Sequence, residues 1–331
     1  MTIFEAVLLG AIQGLFMFIP VSSSSHLVLT QNWLAESGSA LPSPDTPEMI
    51  LFNLLVHLGT MVSVVVVMWQ PLKRLISGTV RELKLFARRK TLRHLIHLRL
   101  MLLGVVTTGV TGVLGLLVRA YGTDAFATPW IVAVLLLITG AILWWSDSVK
   151  TTWRGAAQMT LWVAVLIGLA QAAALFPGLS RSGLTIAMAL ALGMHRKIAA
   201  QFSFFVAIPT IVAATGVQSL ELLTHEGGFF ISWQAYTVAF VVAAVIGAAA
   251  LWAVLRLLYK GYFRVFAVYV VALAAFVLIY QPTFDEDAVV DQLPVEEEQA
   301  AQEAGEEISQ EELRDESPEG PQEEPQDAGA R

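Results

Sequence analysis

Two short polar runs inside apolar surroundings hold the residues that could do chemistry. The first is Pro177-Gly178-Leu179-Ser180-Arg181-Ser182-Gly183-Leu184-Thr185. An arginine at membrane depth is expensive and is by default a sign of function. Its guanidinium can hold a phosphate through two parallel hydrogen bonds, and Ser180, Ser182, Thr185 and the amides around Gly178 and Gly183 can complete a phosphate cradle. The second run is Ser22-Ser23-Ser24-Ser25-His26, preceded by Pro20. Four hydroxyls and an imidazole that titrates near neutrality can bind phosphate oxygens and carry protons. Each group also has a plainer use. A buried arginine can tie helices through their carbonyls, a serine can bond the carbonyl four residues back, and a histidine can be satisfied by a nearby carbonyl. Gln13 and Gln171 can present amides to the same cavity or act as interhelical glue, and His57, alone beside Gly59, reads as structural.

Carboxylates are missing from both runs. The acidic residues before position 281 are Glu5, Glu36, Asp45, Glu48, Glu82, Asp124, Asp147, Glu221 and Glu226, and none falls in a polar run or a span centre. A Mg²⁺ or Ca²⁺ site, which wants carboxylate oxygens, is therefore not expected, and no metal ligands are assigned. The absence of cysteine removes disulfides and thiolate-bound metal.

The elements that position these runs follow from composition. The chain of 331 residues is 56% hydrophobic and 14% charged, with a mean hydropathy of +0.66, where a soluble domain carries about 25% charged residues. The reading is an all-α polytopic membrane protein, and the N-terminus lacks the basic start of a cleaved leader. The net charge of −7 averages two unlike parts: residues 281–331 hold 18 acidic and 2 basic residues, whereas 1–280 hold 9 and 18. The acidic part reads as a disordered tail, leaving 1–280 as the membrane-embedded domain.

Segments 4–34 and 156–193 are apolar but broken at the two polar runs, and read as re-entrant helical hairpins. Backbone of that kind survives at depth only inside protein or beside a wet cavity. Six transmembrane helices are expected over 49–69, 99–118, 129–146, 198–219, 232–256 and 264–280. Nine Lys/Arg between 71 and 99 mark that loop as cytoplasmic, and its apolar spacing predicts a surface helix. Trp69, Trp130, Trp144, Trp145 and Trp153 fall at span ends, as interfacial anchors do.

The chain also repeats itself. Phe18–Ser24 can be set against Leu175–Arg181, and Phe52–Thr60 aligns without a gap to Phe202–Thr210. Each half, about 1–146 and 156–280, holds one hairpin and three spans, so the second copy is inverted. Two inverted hairpins meeting near the midplane are a common transporter architecture.

Gln13 through His26 and the complete PGxSRSxxT run, Pro177 to Thr185, resemble the two signatures of the bacterial undecaprenyl pyrophosphate phosphatases, the bacitracin-resistance family. Phe202-Ser203-Phe204 and Pro209 are similar as well. The resemblance implies six spans with two re-entrant hairpins in an inverted repeat, and a multi-pass protein of the bacterial inner membrane whose site opens outward. It implies hydrolysis of the C55 lipid pyrophosphate to the monophosphate, which recycles the carrier for peptidoglycan. Ser23 and His26 match positions implicated in catalysis; Arg181, Ser180 and Thr185 match pyrophosphate-binding positions. The site assignment is thus Ser23, His26 and Arg181 as catalytic, with Ser22, Ser24, Gly178, Ser180, Ser182, Thr185 and Gln13 as phosphate ligands. The sequence departs from the family at Met17, where a glutamate is usual, and at Asn53, where an acidic residue is common. A thioether neither takes a proton nor binds the divalent cation, Mg²⁺ or Ca²⁺, that the family uses. The rival expectations are a lipid-phosphate carrier or flippase, and a weakened paralogue that only binds the lipid. Expected partners are polyprenyl pyrophosphate, membrane lipids and a further copy of the chain in a homo-oligomer; nucleic acid is not among them.

Overall fold

The structure is a computed structural model that describes residues 1–39, 41–42, 46–89, 95–121, 128–149, 152–222 and 231–280. The acidic tail therefore lies outside the described residues. Helices occupy Ile3–Phe16 (α1), Ser23–Glu36 (α2), Pro47–Val67 (α3), Trp69–Arg89 (α4), Ile96–Tyr121 (α5) and Pro129–Ser148 (α6). They continue with Leu161–Ala173 (α7), Arg181–Ala191 (α8), Arg196–Leu222 (α9), Trp233–Lys260 (α10) and Phe263–Tyr280 (α11). No strand longer than an isolated bridge occurs among the described residues. The chain is an all-α polytopic membrane protein. Five of the expected spans are helices long and apolar enough to cross a membrane, and the sixth falls on the shorter α11.

Local sequence sets the boundaries. Thr2 and Glu5 form a capping box at the start of α1, and Thr160, Ser180 and Ser232 cap α7, α8 and α10 through their hydroxyls. Pro47 and Pro129 occupy the first helical position of α3 and α6, where a missing N–H costs nothing. Each interrupted segment is a pair of short helices whose break contains a proline, Pro20 or Pro177, that cannot continue an α-helix. Gly178, at φ +94°, turns the second break in a backbone conformation that glycine tolerates without strain.

Packing is reciprocal between the halves. The first short helix of the first interrupted segment, α1, lies on α10, and its counterpart in the second segment, α7, lies on α5. A Cβ on Gly10 would stand 2.7 Å from the Ala239 carbonyl oxygen, and one on Gly168 would stand 2.9 Å from that of Thr107. Gly10 precedes Gln13 by the same three residues that separate Gly168 from Gln171. Bare backbones thus meet at both seams, as small residues permit between membrane helices. Thr107 and Thr111 of α5 add hydroxyl bonds to the Ala164 and Gly168 carbonyls, at 3.0 and 3.1 Å.

The outward faces are apolar: Leu102, Val105, Val113 and Leu116 of α5 and Val245 of α10 are all exposed. Trp69, Trp130, Trp144, Trp145 and Trp153 are exposed too, and Arg264 and Arg154 sit over the rings of Trp144 and Trp153. α4 carries Leu83 and Phe86 of the apolar pattern, Leu83, Phe86, Leu92, Leu95 and Ile96, that predicts a surface helix between 71 and 99; Leu92 lies outside the described residues, Leu95 precedes α5 and Ile96 opens it. The helix α4 is tied to α5 by Glu82, which receives the His97 Nδ1–H at 2.7 Å and the Leu98 N–H at 2.8 Å. Burial raises the Glu82 carboxyl, but these bonds outweigh it and hold the group below its ordinary value of 4.5. A depressed carboxylate stabilises the fold above its unfolded pKa and loses that contribution as pH falls through the folded pKa. Lowering the pH below about 4.5 should therefore lower the melting temperature of the wild type, and Glu82→Gln should flatten that component. An unchanged pH dependence in Glu82→Gln would remove the α4–α5 tie from the account.

Candidate active site

The first break is built around an unusual serine. Ser22 has φ 63° and ψ 88°, the one non-glycine residue with positive φ among those described. Such a conformation costs roughly 1–3 kcal/mol and persists only where its surroundings enforce it. The enforcing group is His26, whose Nδ1–H donates to the Ser22 carbonyl at 2.8 Å. A carbonyl only accepts, so Nδ1 carries the proton, and Nε2 meets the Tyr269 hydroxyl of α11 at 2.8 Å. Phe16 stacks on the imidazole with centroids 3.9 Å apart. The Ser22 and Ser25 hydroxyls also bond each other, at 3.0 Å. His26 thus stands behind the tip with both ring nitrogens engaged.

Ser23, next along the chain, opens α2. Its hydroxyl donates to Met17 Sδ at 3.8 Å, and Gln13 Nε2 donates to the same sulfur at 3.5 Å. Position 17 is therefore the hub on which the groups of the first break converge, and a weak acceptor fills it.

The second break is anchored to α6. Thr139 donates its hydroxyl proton to the Gly178 carbonyl at 3.0 Å and accepts the Ser180 N–H at 3.3 Å. Ser180 caps α8 through the Gly183 N–H at 3.2 Å, and the Thr185 hydroxyl pairs with that of Ser203 on α9 at 2.6 Å. These anchors leave the Arg181 side chain directed into a cavity of about 540 Å³. Gln13, Met17, Ser22 and Ser23 line it together with Arg181, Ser182 and Gln171, Asn53 and His57 of α3, and Thr210 of α9.

The polar atoms in this wall are under-satisfied. Arg181 Nη1, Asn53 Oδ1, Gln171 Oε1 and Gln31 Nε2 are buried without a hydrogen-bond partner, and all four residues line the cavity. Gln171 uses only its NH₂, which donates to Thr111 and Thr210 at 3.1 and 2.9 Å. No carboxylate lines the cavity among the described residues. A buried guanidinium without a counter-charge is costly, and an anion in the cavity relieves that cost. A divalent cation does not fit this donor set. The oxygens on offer are neutral amides and hydroxyls, a thioether occupies the hub, and Mg²⁺ and Ca²⁺ favour carboxylates.

Of the residues assigned from sequence, Gln13, Ser22, Ser23, Arg181 and Ser182 are brought to one cavity. His26 supports the tip from behind, Gly178 and Ser180 seat the second break on α6, and Thr185 ties α8 to α9. The Ser24 side chain lies outside those described. His57, read as structural, lines the cavity, and with its Nδ1–H given to the Asn53 carbonyl at 2.7 Å its Nε2 is the lone-pair nitrogen of the neutral ring. Tyr269 was not anticipated, because one tyrosine in the last apolar helix has no local signal; Thr210 carried one in the repeat alignment.

The family model described as bacitracin resistance protein BacA matches residues 6–276. An undecaprenyl-diphosphatase of Halorhodospira halophila is 45% identical over 280 residues, 84% of this chain and 98% of that protein. Another, of Alkalilimnicola ehrlichii, is 46% identical over 275 residues, 83% and 95% of the two chains. A third, of Moorella thermoacetica, is 31% identical over 278 residues, 84% and 97%.

Proposed function

Because the chain belongs to the bacitracin resistance protein BacA family, we propose that it is an integral-membrane phosphatase that converts undecaprenyl pyrophosphate to undecaprenyl phosphate. The observation that carries this reading is the buried, unpartnered Arg181 Nη1 in a cavity that Ser23 also lines and that has no carboxylate among the described residues. Arg181 and Ser182 hold the pyrophosphate, and Arg181 neutralises charge that builds on the terminal phosphoryl group. Ser23 Oγ attacks the terminal phosphorus, the bridging P–O bond breaks, and the lipid monophosphate leaves; water then hydrolyses the phosphoserine and releases phosphate.

Two imidazoles divide the proton and positioning work. His26, clamped between Tyr269 and the Ser22 carbonyl, is a positioning residue that keeps the strained turn aimed at the cavity. His57, with its lone-pair Nε2 in the cavity wall, takes the Ser23 proton. The test is phosphate release from the C55 pyrophosphate by the purified protein, followed over pH. Tyr269→Phe should lower the kcat plateau with KM and the acid limb unchanged, whereas His57→Gln should remove the acid limb. Equal loss in both variants with an unmoved acid limb would return the base role to His26.

An outward opening is supported by α9, which begins at Arg196 and Lys197 and reaches the cavity near Thr215 and Gln218. With the basic end cytoplasmic, the site opens to the outer side of the bacterial inner membrane. The reciprocal packing of α1 on α10 and α7 on α5 supports two re-entrant hairpins and six spans in an inverted repeat.

A further inference from the structure

We propose that the basic end of the bundle carries a second, separate lipid site, which binds a glycerophospholipid with an anionic phosphodiester headgroup. Three cations from three helices, Arg74 of α4, Lys197 of α9 and Arg256 of α10, line one cavity of about 270 Å³ together with Tyr259 and Gln201. No carboxylate lines it among the described residues, and the ion pairs described lie elsewhere, at His97–Glu82 and Arg264–Asp147. Arg256 Cζ lies over the Trp252 ring, 3.6 Å from its centroid, a contact that orders the cation. Arg74 spends one donor on its own helix, Nε to the Gln70 carbonyl at 3.3 Å.

Gln201 also lines a second cavity, an apolar groove of about 570 Å³ between α4, α5 and α9. Leu75, Met101, Phe205 and Ile208 are among its walls, and it follows α9 from Ile198 to Pro209, roughly 16 Å at helical rise. A cationic pocket that shares the Gln201 wall with an apolar groove suits one molecule with a phosphate at one end and hydrocarbon at the other. Basic pockets between membrane helices take anionic headgroups in this way. Choline lipids are disfavoured, since their ammonium would join three cations. The site is distinct from the pyrophosphate cavity, which α9 lines farther along, from Thr210 to Gln218.

The experiment uses the full chain in phosphatidylcholine nanodiscs titrated with phosphatidylglycerol, read by melting temperature and by lipids retained in native mass spectrometry. Wild type should gain stability and retain phosphatidylglycerol. Arg74→Gln/Lys197→Gln/Arg256→Gln should weaken retention at least about tenfold, and Lys73→Gln/Arg81→Gln/Lys84→Gln, on α4 outside the cavity, should not. Should the first triple variant fail to fold, Arg256→Gln alone and Phe205→Trp, which fills the groove, should each reduce retention. Retention unaffected by the cavity variants, or lost equally in the α4 control, would overturn the proposal, as would inorganic phosphate giving the full shift without lipid.

Discussion

Arg181→Ala is expected to lower phosphate release by roughly a thousandfold or more, the scale of losing a preorganised donor to a transferring phosphoryl group. Nη1 is buried, has no partner and shares its cavity with no carboxylate among the described residues. Its stabilisation is therefore realised only when an anion enters, and most when charge builds on that anion. Arg181→Lys keeps the charge but loses the planar fork, so it should recover only part of the rate. The stability outcome separates this role from helix glue. Because Nη1 makes no hydrogen bond, Arg181→Ala should leave the ligand-free melting temperature unchanged or raised. A collapsed melting temperature, or activity within tenfold of wild type, would assign the arginine to packing.

Met17→Glu is the second large effect, and its sign is a gain. Ser23 Oγ and Gln13 Nε2 already point at Met17 Sδ, from 3.8 and 3.5 Å. A carboxylate there would accept both hydrogen bonds in charge-assisted form and would stand as a base beside Ser23, the proposed nucleophile. Positioned general bases contribute about 10²–10⁴-fold, so kcat should rise by roughly a hundredfold, with an increased dependence on divalent cation. If wild type releases no phosphate across a metal series while Met17→Glu does, the native protein binds the lipid without cleaving it, as a carrier would. An unchanged rate in Met17→Glu would place position 17 away from the chemistry.

The breaks and the cavity arginine were legible in the sequence because membrane helices tolerate neither proline nor charge without cause. The helix α4 was legible only in part, through the spacing of Leu83 and Phe86, since the same pattern runs on past its end to Ile96 of α5. Less legible was the division of labour among hydroxyls. In an apolar setting Ser180, Ser182 and Thr185 look alike, yet one caps a helix, one faces the cavity and one bonds Ser203. That choice depends on which carbonyl or hydroxyl a neighbouring helix presents, and no residue within the motif encodes the neighbour. Tyr269 makes the same point across 243 positions of sequence. His57 is a related case: a lone histidine in a span gives no sign in the sequence that it lines the same cavity as Arg181.

The reciprocal seams also set the order in which the site can form. Each break rests on a helix supplied by the other half of the chain, α1 on α10 and α7 on α5. The Ser22–His26 tip then waits for Tyr269, in the last of the described helices. Contacts so far apart along the chain close late and slowly. A protein truncated before α10 should insert in the membrane yet hold an unformed catalytic tip, so that maturation of activity becomes a C-terminal event.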